Sequence, residues 1–292
     1  MLSILIPTYN YDCTLLLEQL RKQLAKSTHS IELIVCDDAS TLVSNKKAIS
    51  EYCSQHNLTY IENTTNLGRT ATRNMLAQKA QYDWLLFLDA DVSLVSSTFI
   101  ANYTRHINDT YQAIVGGIEY LKSQSDKTVS LRWKFGIKRE ARLANERNKH
   151  PYLLASGNLL IKKDIFLQAN SFLTNEYGLD AVFGYQLKKL NIPIIHIDNP
   201  VYHLGLETND VFLRKSINAL STLMNLEKQG LLPSDHTRLQ RLYQASIGKS
   251  IFQWIINTFK LSIEKNLLGS RPSLFLFDIY RLYQYIKLKS NA

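Results

Sequence analysis

Two apolar runs, each emptying into paired aspartates, constrain this chain most: IELIVCDDAS at 31–40 and WLLFLDADV at 84–92. Uninterrupted apolar segments of this length read as strands covered on both faces, as in a parallel sheet. Their last residues then lie at the carboxyl edge, where open α/β sheets keep their ligands. Residues two apart in an extended segment project to one side, so Asp89 and Asp91 address one point and Ala90 leaves it uncrowded. Two carboxylates at one point repel unless a cation joins them. Hard oxygen donors suit Mg²⁺ or Mn²⁺, completed by water and substrate phosphates. An isolated Asp-X-Asp also fits a solvated turn or a helix cap, but the run ahead of it favours a metal and diphosphate site.

The same logic extends along the first hundred residues. Strands are expected at 2–6, 31–36, 58–61 and 84–88, and helices at 15–25, 46–56 and 69–81, with Pro7-Thr8-Tyr9-Asn10 as the first exit loop and Asn66-Leu67-Gly68 turning into the third helix. Such alternation argues for right-handed βαβ units and a parallel sheet, a nucleotide-binding half. Beyond it come a strand at 113–118, the charged stretch KREARLANERNKH at 138–150, read as a solvated helix over the alternative of a lid, an apolar run at 153–161, a helix at 183–189 and a strand at 193–197. From residue 210 the spacing becomes helical throughout, so the chain divides into 1–207 and a helical extension over 208–292. Arg69 and Arg73, four apart near a helix start, make a diphosphate anchor in which Arg73 is preferred over Arg69; the alternative is pairing with nearby acids.

A chain of 292 residues with 45% hydrophobic content can build a sizeable core. Its net charge of +9 is concentrated at the end: residues 241–292 hold eight Lys/Arg against Glu264 and Asp278, which is +6 and leaves +3 for residues 1–240. A basic excess implies an anionic partner. Nucleic acid is disfavoured, because no recognised module organises the cations. The stretches at 250–268 and 273–289 mix aromatic and aliphatic stripes with lysines, as in helices that lie on an anionic membrane surface. They equally suit a helical cap or a dimer partner. No apolar run approaches the about 18 to 20 residues of a membrane span, so membrane contact is expected to be peripheral. Cys13, Cys36 and Cys53 share no metal-type spacing and read as reduced thiols of a cytoplasmic protein. MLSILIPTYN reads as a first strand and not a signal peptide.

The ordered set SILIPTYN (3–10), VCDDAS (35–40), NLGRTATRN (66–74), FLDADV (87–92), SGNLLIKK (156–163), YGLDAVFGYQLKK (177–189) and IDNPVYHLGLE (197–207) resembles the family 2 glycosyltransferases with a GT-A fold, over roughly the first 207 residues. That resemblance implies a Rossmann-like, mixed but mainly parallel sheet flanked by helices, with the helical extension after it. It implies that Pro7, Thr8 and Tyr9 line the base and ribose pocket and that Asp38 accepts a hydrogen bond from the base, as an ionised carboxylate can. Asp37 is a weaker candidate, and Asp38 and Ser40 as helix caps are the alternative. It further implies that Asp89 contacts the ribose or the metal, that Asp91 binds the metal directly, and that Gly157 and Asn158 let the backbone approach the donor sugar. His203 matches a position that supplies a metal or phosphate contact in some members, against the alternative of a structural histidine. The family takes its base from a Glu-Asp pair ahead of a helix. Here the pair is Leu179-Asp180, so Asp180 is the base candidate, Glu176 the fallback and a helix cap the competing role. Arg132 and Trp133 suit either acceptor contact or core. His29, His56 and His150 receive no role.

The function implied is metal-dependent, inverting transfer of a sugar from a nucleotide diphosphate donor, with a UDP-sugar favoured, to a hydroxyl of a saccharide or lipid-linked saccharide, in bacterial surface polysaccharide or glycolipid assembly. The missing first acid keeps alive a nucleotide-sugar-binding subunit without catalysis. A nucleotidyltransferase would want a glycine-rich, lysine-bearing loop after the first strand, which PTYNYDC lacks. A glycosidase would need no nucleotide pocket.

Overall fold

The computed structural model describes residues 1–108, 110–170 and 176–291. The first hundred residues run β1 (Leu2–Thr8), α1 (Thr14–Leu24), β2 (Ile31–Asp37), α2 (Val43–Gln55), β3 (Thr59–Glu62), α3 (Arg69–Lys79), β4 (Trp84–Leu88) and β5 (Val92–Leu94). There follow α4 (Phe99–Thr104), β6 (Ala113–Val115), β7 (Ile118–Glu119), α5 (Ser130–Phe135), α6 (Ala144–Arg147), β8 (Asn158–Lys162), α7 (Lys163–Ala169), α8 (Asp180–Lys189), β9 (Ile194–His196) and β10 (Val201–His203). Four helices close the chain: α9 (Asn209–Lys228), α10 (Arg238–Ala245), α11 (Lys249–Leu268) and α12 (Leu274–Ser290).

The main sheet has seven strands in the order β3-β2-β1-β4-β8-β6-β9. All its pairings are parallel except those of β8, which runs antiparallel to both β4 and β6. The strand order reverses between β1, which leads out to β2 and β3, and β4, which leads the other way; ligands of open α/β sheets bind at such a switch point. Alternation explains why the strand sequences are continuously apolar. Ile4, Ile6, Val35, Leu86 and Leu88 enter one cluster with Leu16 and Leu20 of α1, Ile49 of α2 and Phe99 of α4. Their neighbours Leu5, Ile34, Cys36, Leu85 and Phe87 enter another with Leu76 of α3, Phe166 of α7 and Leu187 of α8. Each buried aliphatic side chain contributes roughly 1.5–3 kcal/mol, so a one-residue slip that exchanged the faces would forfeit both layers.

Two expectations give way here. The strand foreseen at 113–118 is split into β6 and β7 at Gly116-Gly117, where Gly117 has φ of +92°. β7 joins β5 and β10 in a second, three-stranded sheet whose strands are too short to leave a sequence period. The charged stretch is not a solvated helix either. Only α6 is α-helical within 140–150, and Arg147 turns inward to donate to the carbonyls of Arg142, Val115, Gly116 and Ile197 and to His196 Nδ1. His196 Nε2 then faces the Pro151 carbonyl at 2.9 Å. Burial, reinforced by Arg147, lowers the His196 pKa and keeps the ring neutral.

The chain divides into two units. One comprises the described residues of Met1–Tyr120, Glu140–Asn175 and Phe183–Gly205, and the other those of Leu121–Arg139, Glu176–Val182 and Leu206–Ala292. A contiguous cut at 207/208 therefore misses two earlier stretches that go with the helical unit. Packing explains one of them: Leu131 of α5 is buried with Phe212 of α9, Ile256 and Ile263 of α11, and Phe277 and Tyr280 of α12. Asn209 binds the same stretch through its carboxamide, accepting from Leu131 N at 2.8 Å and donating to the Gly269 carbonyl at 3.0 Å.

Candidate active site

β4 ends at Leu88, and the next backbone N–H, that of Asp89, donates to the Gly157 carbonyl at 3.1 Å just before β8 begins. This antiparallel neighbour fixes where the Asp-Ala-Asp turn stands. Gly157 is required by close approach, since a Cβ there would lie 2.4 Å from Asp89 Oδ2. Gly157→Ala is accordingly expected to fold but lose about 1–3 kcal/mol, the usual cost of forcing an extra carbon into a filled site; a urea midpoint equal to the parent's would refute the contact.

α3 brings both expected arginines to Asp89. Arg73 Nη2 donates to Asp89 Oδ1 at 2.6 Å and Nη1 to Ser156 Oγ at 2.7 Å, while its guanidinium lies 5.4 Å from the centre of the Phe87 ring. Arg69 reaches the same carboxylate through Nε at 3.3 Å and Nη2 at 3.1 Å. The two differ in access: the Arg73 side chain is 4% exposed and that of Arg69 44%. Burial alone would raise the Asp89 pKa, but the charges of Arg69 and Arg73 override it and hold the carboxyl well below the usual range. One carboxylate between two guanidiniums leaves that trio with a net charge of +1, beside the carboxylates of Asp91, Asp37 and Asp38 at the same strand ends.

Asp91 has a different partner. β10 pairs antiparallel with β5, placing His203 opposite Val92, and His203 Nε2 stands 3.3 Å from Asp91 Oδ2. His203 Nδ1 is buried with no hydrogen-bond partner among the described residues. Gly205 lets the chain pass, as a Cβ there would come 2.2 Å from Asp91 Oδ2. Tyr11 also belongs to this neighbourhood: burial and then the charge of Asp91 raise its pKa. Among the described residues no group of three His, Cys, Asp or Glu is gathered for a metal ion. The pair Asp91 and His203 nonetheless suits Mn²⁺ or Mg²⁺, which a protein often holds by one or two side chains with substrate phosphate and water making up the rest. Asp89, expected beside them as a ligand, is engaged by the arginines.

The β1 and β2 ends are joined by their exit loops. Pro7 and Thr8 pair with Cys36 and Asp37, Thr8 Oγ1 donates to the Tyr11 carbonyl, and Tyr9 is 48% exposed. Asn10 has φ of +54° and its Oδ1 accepts from the N–H groups of Thr41 and Leu42. Asp38 is buried, taking Asn63 Nδ2 at 2.7 Å and the Leu67 and Gly68 N–H groups at 2.9 and 2.8 Å. It thereby anchors the entry to α3 and not, as the capping alternative had it, the helix that follows it. Asp37 Oδ1 accepts from Ser40 N, while Oδ2 is buried without a partner among the described residues.

Asn158 is completely buried, accepting from Tyr103 Oη at 2.6 Å and donating to the carbonyls of Gly117 and Asn199. Its side chain ties β8 to the split between β6 and β7. Asp180 occupies the first turn of α8 and, like the exposed Glu176, falls in the helical unit. Trp133 Nε1 donates to the Leu121 carbonyl and Arg132 pairs with Glu207 at 3.5 Å, both within that unit. Sequence reasoning missed Ser156, Gly205 and Tyr11. The serine of SGN and the glycine two past His203 were visible, but only the fold says what they touch.

Comparison with known proteins identifies the family and the fold. The family model described as Glycosyl transferase family 2 matches residues 3–168. An uncharacterized glycosyltransferase of Haemophilus influenzae is 38% identical over 93 residues, which is 31% of this chain and only 29% of that protein. A second from the same organism is 21% identical over 290 residues, 99% of this chain and 98% of the relative. Among solved structures, the mannosyltransferase PcManGT from Pyrobaculum calidifontis, in complex with GDP-Man and Mn²⁺, superposes with a TM-score of 0.58 at 15% identity, covering 99% of this chain and 86% of that one. At that identity the likeness is one of fold.

Proposed function

Because the chain belongs to glycosyl transferase family 2, we propose that it transfers a sugar from a nucleoside diphosphate donor, a UDP-sugar in the first instance, to a hydroxyl of a saccharide or lipid-linked saccharide, with inversion and with Mn²⁺ or Mg²⁺ bound. The observation that carries this reading is the convergence of Arg69 and Arg73 on Asp89 at the sheet's switch point, with Asp91 and His203 alongside. Asp91 and His203 would hold the ion, whose chemistry there is Lewis-acid neutralisation of a departing diphosphate. Arg69, the more exposed of the two, would exchange Asp89 for a phosphate oxygen, while the buried Arg73 keeps Asp89 oriented. This reverses the preference drawn from helical spacing alone.

Pro7, Thr8 and Tyr9 would border the base and ribose. The base contact assigned to Asp38 competes with three internal donors, whereas Asp37 Oδ2 has no hydrogen-bond partner among the described residues, so both aspartates enter the proposal. Ala90 would leave room beside the carboxylates for the donor sugar, with the backbone of Gly157 and Asn158 at its border. Asp180 would take the acceptor hydroxyl's proton as that oxygen attacks, with Glu176 as the fallback. A role in bacterial surface polysaccharide or glycolipid assembly, at the cytoplasmic face of a membrane, completes the reading, with a homodimer as the competing use of the helical unit. The alternative of a binding subunit without turnover is retained because Leu179 stands where the family has a first acid.

The test is nucleoside diphosphate release from UDP- and GDP-sugars with Mn²⁺. Loss of a positioned base costs roughly 10²–10⁴-fold. Asp180→Asn should therefore fall at least a hundredfold in kcat while its KM for donor holds, and Glu176→Gln should stay near the parent. Tight donor binding with no turnover by the parent protein would favour the binding subunit, and equal turnover by both variants would remove Asp180 from the reaction.

A further inference from the structure

Helix α11 buries Ile256, Ile263 and Leu267 in the core of the helical unit. At 100° per residue its opposite side carries Ile251, Trp254 and Leu261, which are 67%, 71% and 81% exposed, while Phe259, 59% exposed, lies at the flank of the buried face. Ile247, just ahead of the helix, is 97% exposed, and Phe275 at the start of α12 is 70% exposed. Between the two helices an open, apolar groove of about 340 Å³ is lined by Phe259, Ser262, Leu276 and Ile279 among others. Large apolar side chains exposed together on one helix side mark an interaction site.

We propose that this face of α11 and the start of α12 docks on the surface of an anionic lipid bilayer. The proposal rests on the exposed chemistry of the helical unit and is independent of the catalytic assignments, although a lipid-linked acceptor would make it useful. Charge decides the occupant. Lys265, Arg271 and Lys287 are exposed, while the two carboxylates of residues 241–292 are both engaged within the unit, Glu264 with the Tyr280 hydroxyl at 2.6 Å and Asp278 with Arg139 Nη2 at 2.6 Å. The apolar face is thus accompanied by exposed cations, while the two acids of this stretch, partly exposed, are each engaged within the unit. A two-fold contact with a second copy would set these cations against their own equivalents. An anionic lipid surface supplies what the face lacks, and a helix with Trp, Ile and Leu on one side and a lysine among them is suited to lie at the headgroup boundary. No helix among the described residues is long and apolar enough to cross a membrane, so α11 lies on the bilayer and does not span it.

The experiment is flotation of the full chain with vesicles of phosphatidylcholine alone or mixed with phosphatidylglycerol, read together with tryptophan emission. Binding to the anionic vesicles is expected, with a blue shift and brominated-lipid quenching that disappear in Trp254→Phe. Trp254→Ser combined with Leu261→Ser should bind at least about tenfold more weakly, since each buried apolar group adds to the partition. Lys265→Glu with Arg271→Glu should lose at least about 25-fold, a factor of about five for each cation near an anionic surface. High salt should weaken the parent's binding. Leu143→Ser, an exposed leucine of the other unit, should float as the parent does. The proposal fails if the parent ignores the anionic vesicles, binds both vesicle types equally, or keeps its affinity in the Trp254/Leu261 variant. It also fails if light scattering shows a dimer that this variant dissolves. Because flotation needs no turnover, a catalytic failure and a docking failure cannot be mistaken for one another.

Discussion

Replacing Asp91 with asparagine is expected to reduce kcat/KM for donor turnover by about a thousandfold while the urea midpoint stays near the parent's. The figure follows from removing one charged support from a developing diphosphate, worth several kcal/mol, at 1.36 kcal/mol per factor of ten. Stability should survive because the Asp91 side chain is 27% exposed and its partner is an imidazole. An asparagine fills the same volume beside Gly205, so no void or clash arises. Retention of more than a tenth of the parent's activity in Asp91→Asn would remove this residue from the proposed machinery.

Asp89→Asn should behave in the opposite way, destabilising the fold before any question of catalysis arises. Arg73 is nearly inaccessible to water and its Nη2 contacts Asp89 Oδ1 at 2.6 Å, so the variant leaves a buried cation without its anion. Breaking a buried pair costs about 3–5 kcal/mol, and the partial exposure of Asp89 argues for about 3. The pH dependence follows from the direction of the shift. A carboxyl held below its ordinary value contributes stability that is complete above about 3.9 and is lost as pH falls toward its folded-state value. The parent should therefore show no contribution of Asp89 to the pH dependence between neutrality and pH about 5, and a decline below about 4 that Asp89→Asn lacks. Urea unfolding at neutral pH and at acid pH, in both proteins, reads this directly. An unchanged midpoint for Asp89→Asn at neutral pH would mean that the pair does not hold Arg73.

The contrast between these two aspartates indicates how far the sequence could be read. Their spacing identifies the turn, and their residue type calls for cations nearby. What supplies the cations is different for each. Asp89 meets Arg69 and Arg73, the pairing that had stood as the alternative to a phosphate anchor, and Asp91 meets a histidine more than a hundred residues away. Asp38 shows the same limit. Its place at the end of an apolar run was legible, yet three donors from Asn63, Leu67 and Gly68 hold its carboxylate within the protein. The side chain of Asn158 is a buried brace that the sequence did not announce, because its partners Tyr103, Gly117 and Asn199 are distant in the chain.

Local order was therefore encoded in the chain itself: alternating strands and helices, the apolar runs covered on both faces, the acid-tipped ends of β2 and β4, and the helical character after residue 209. Periodicity and strand termination are properties of neighbouring residues, so a linear reading reaches them. The direction of β8, the small sheet that delivers His203 to Asp91, and the return of residues 121–139 and 176–182 to the helical unit were decided only in three dimensions. Each depends on contacts between segments far apart in the chain, which three-residue strands and single buried side chains do not announce.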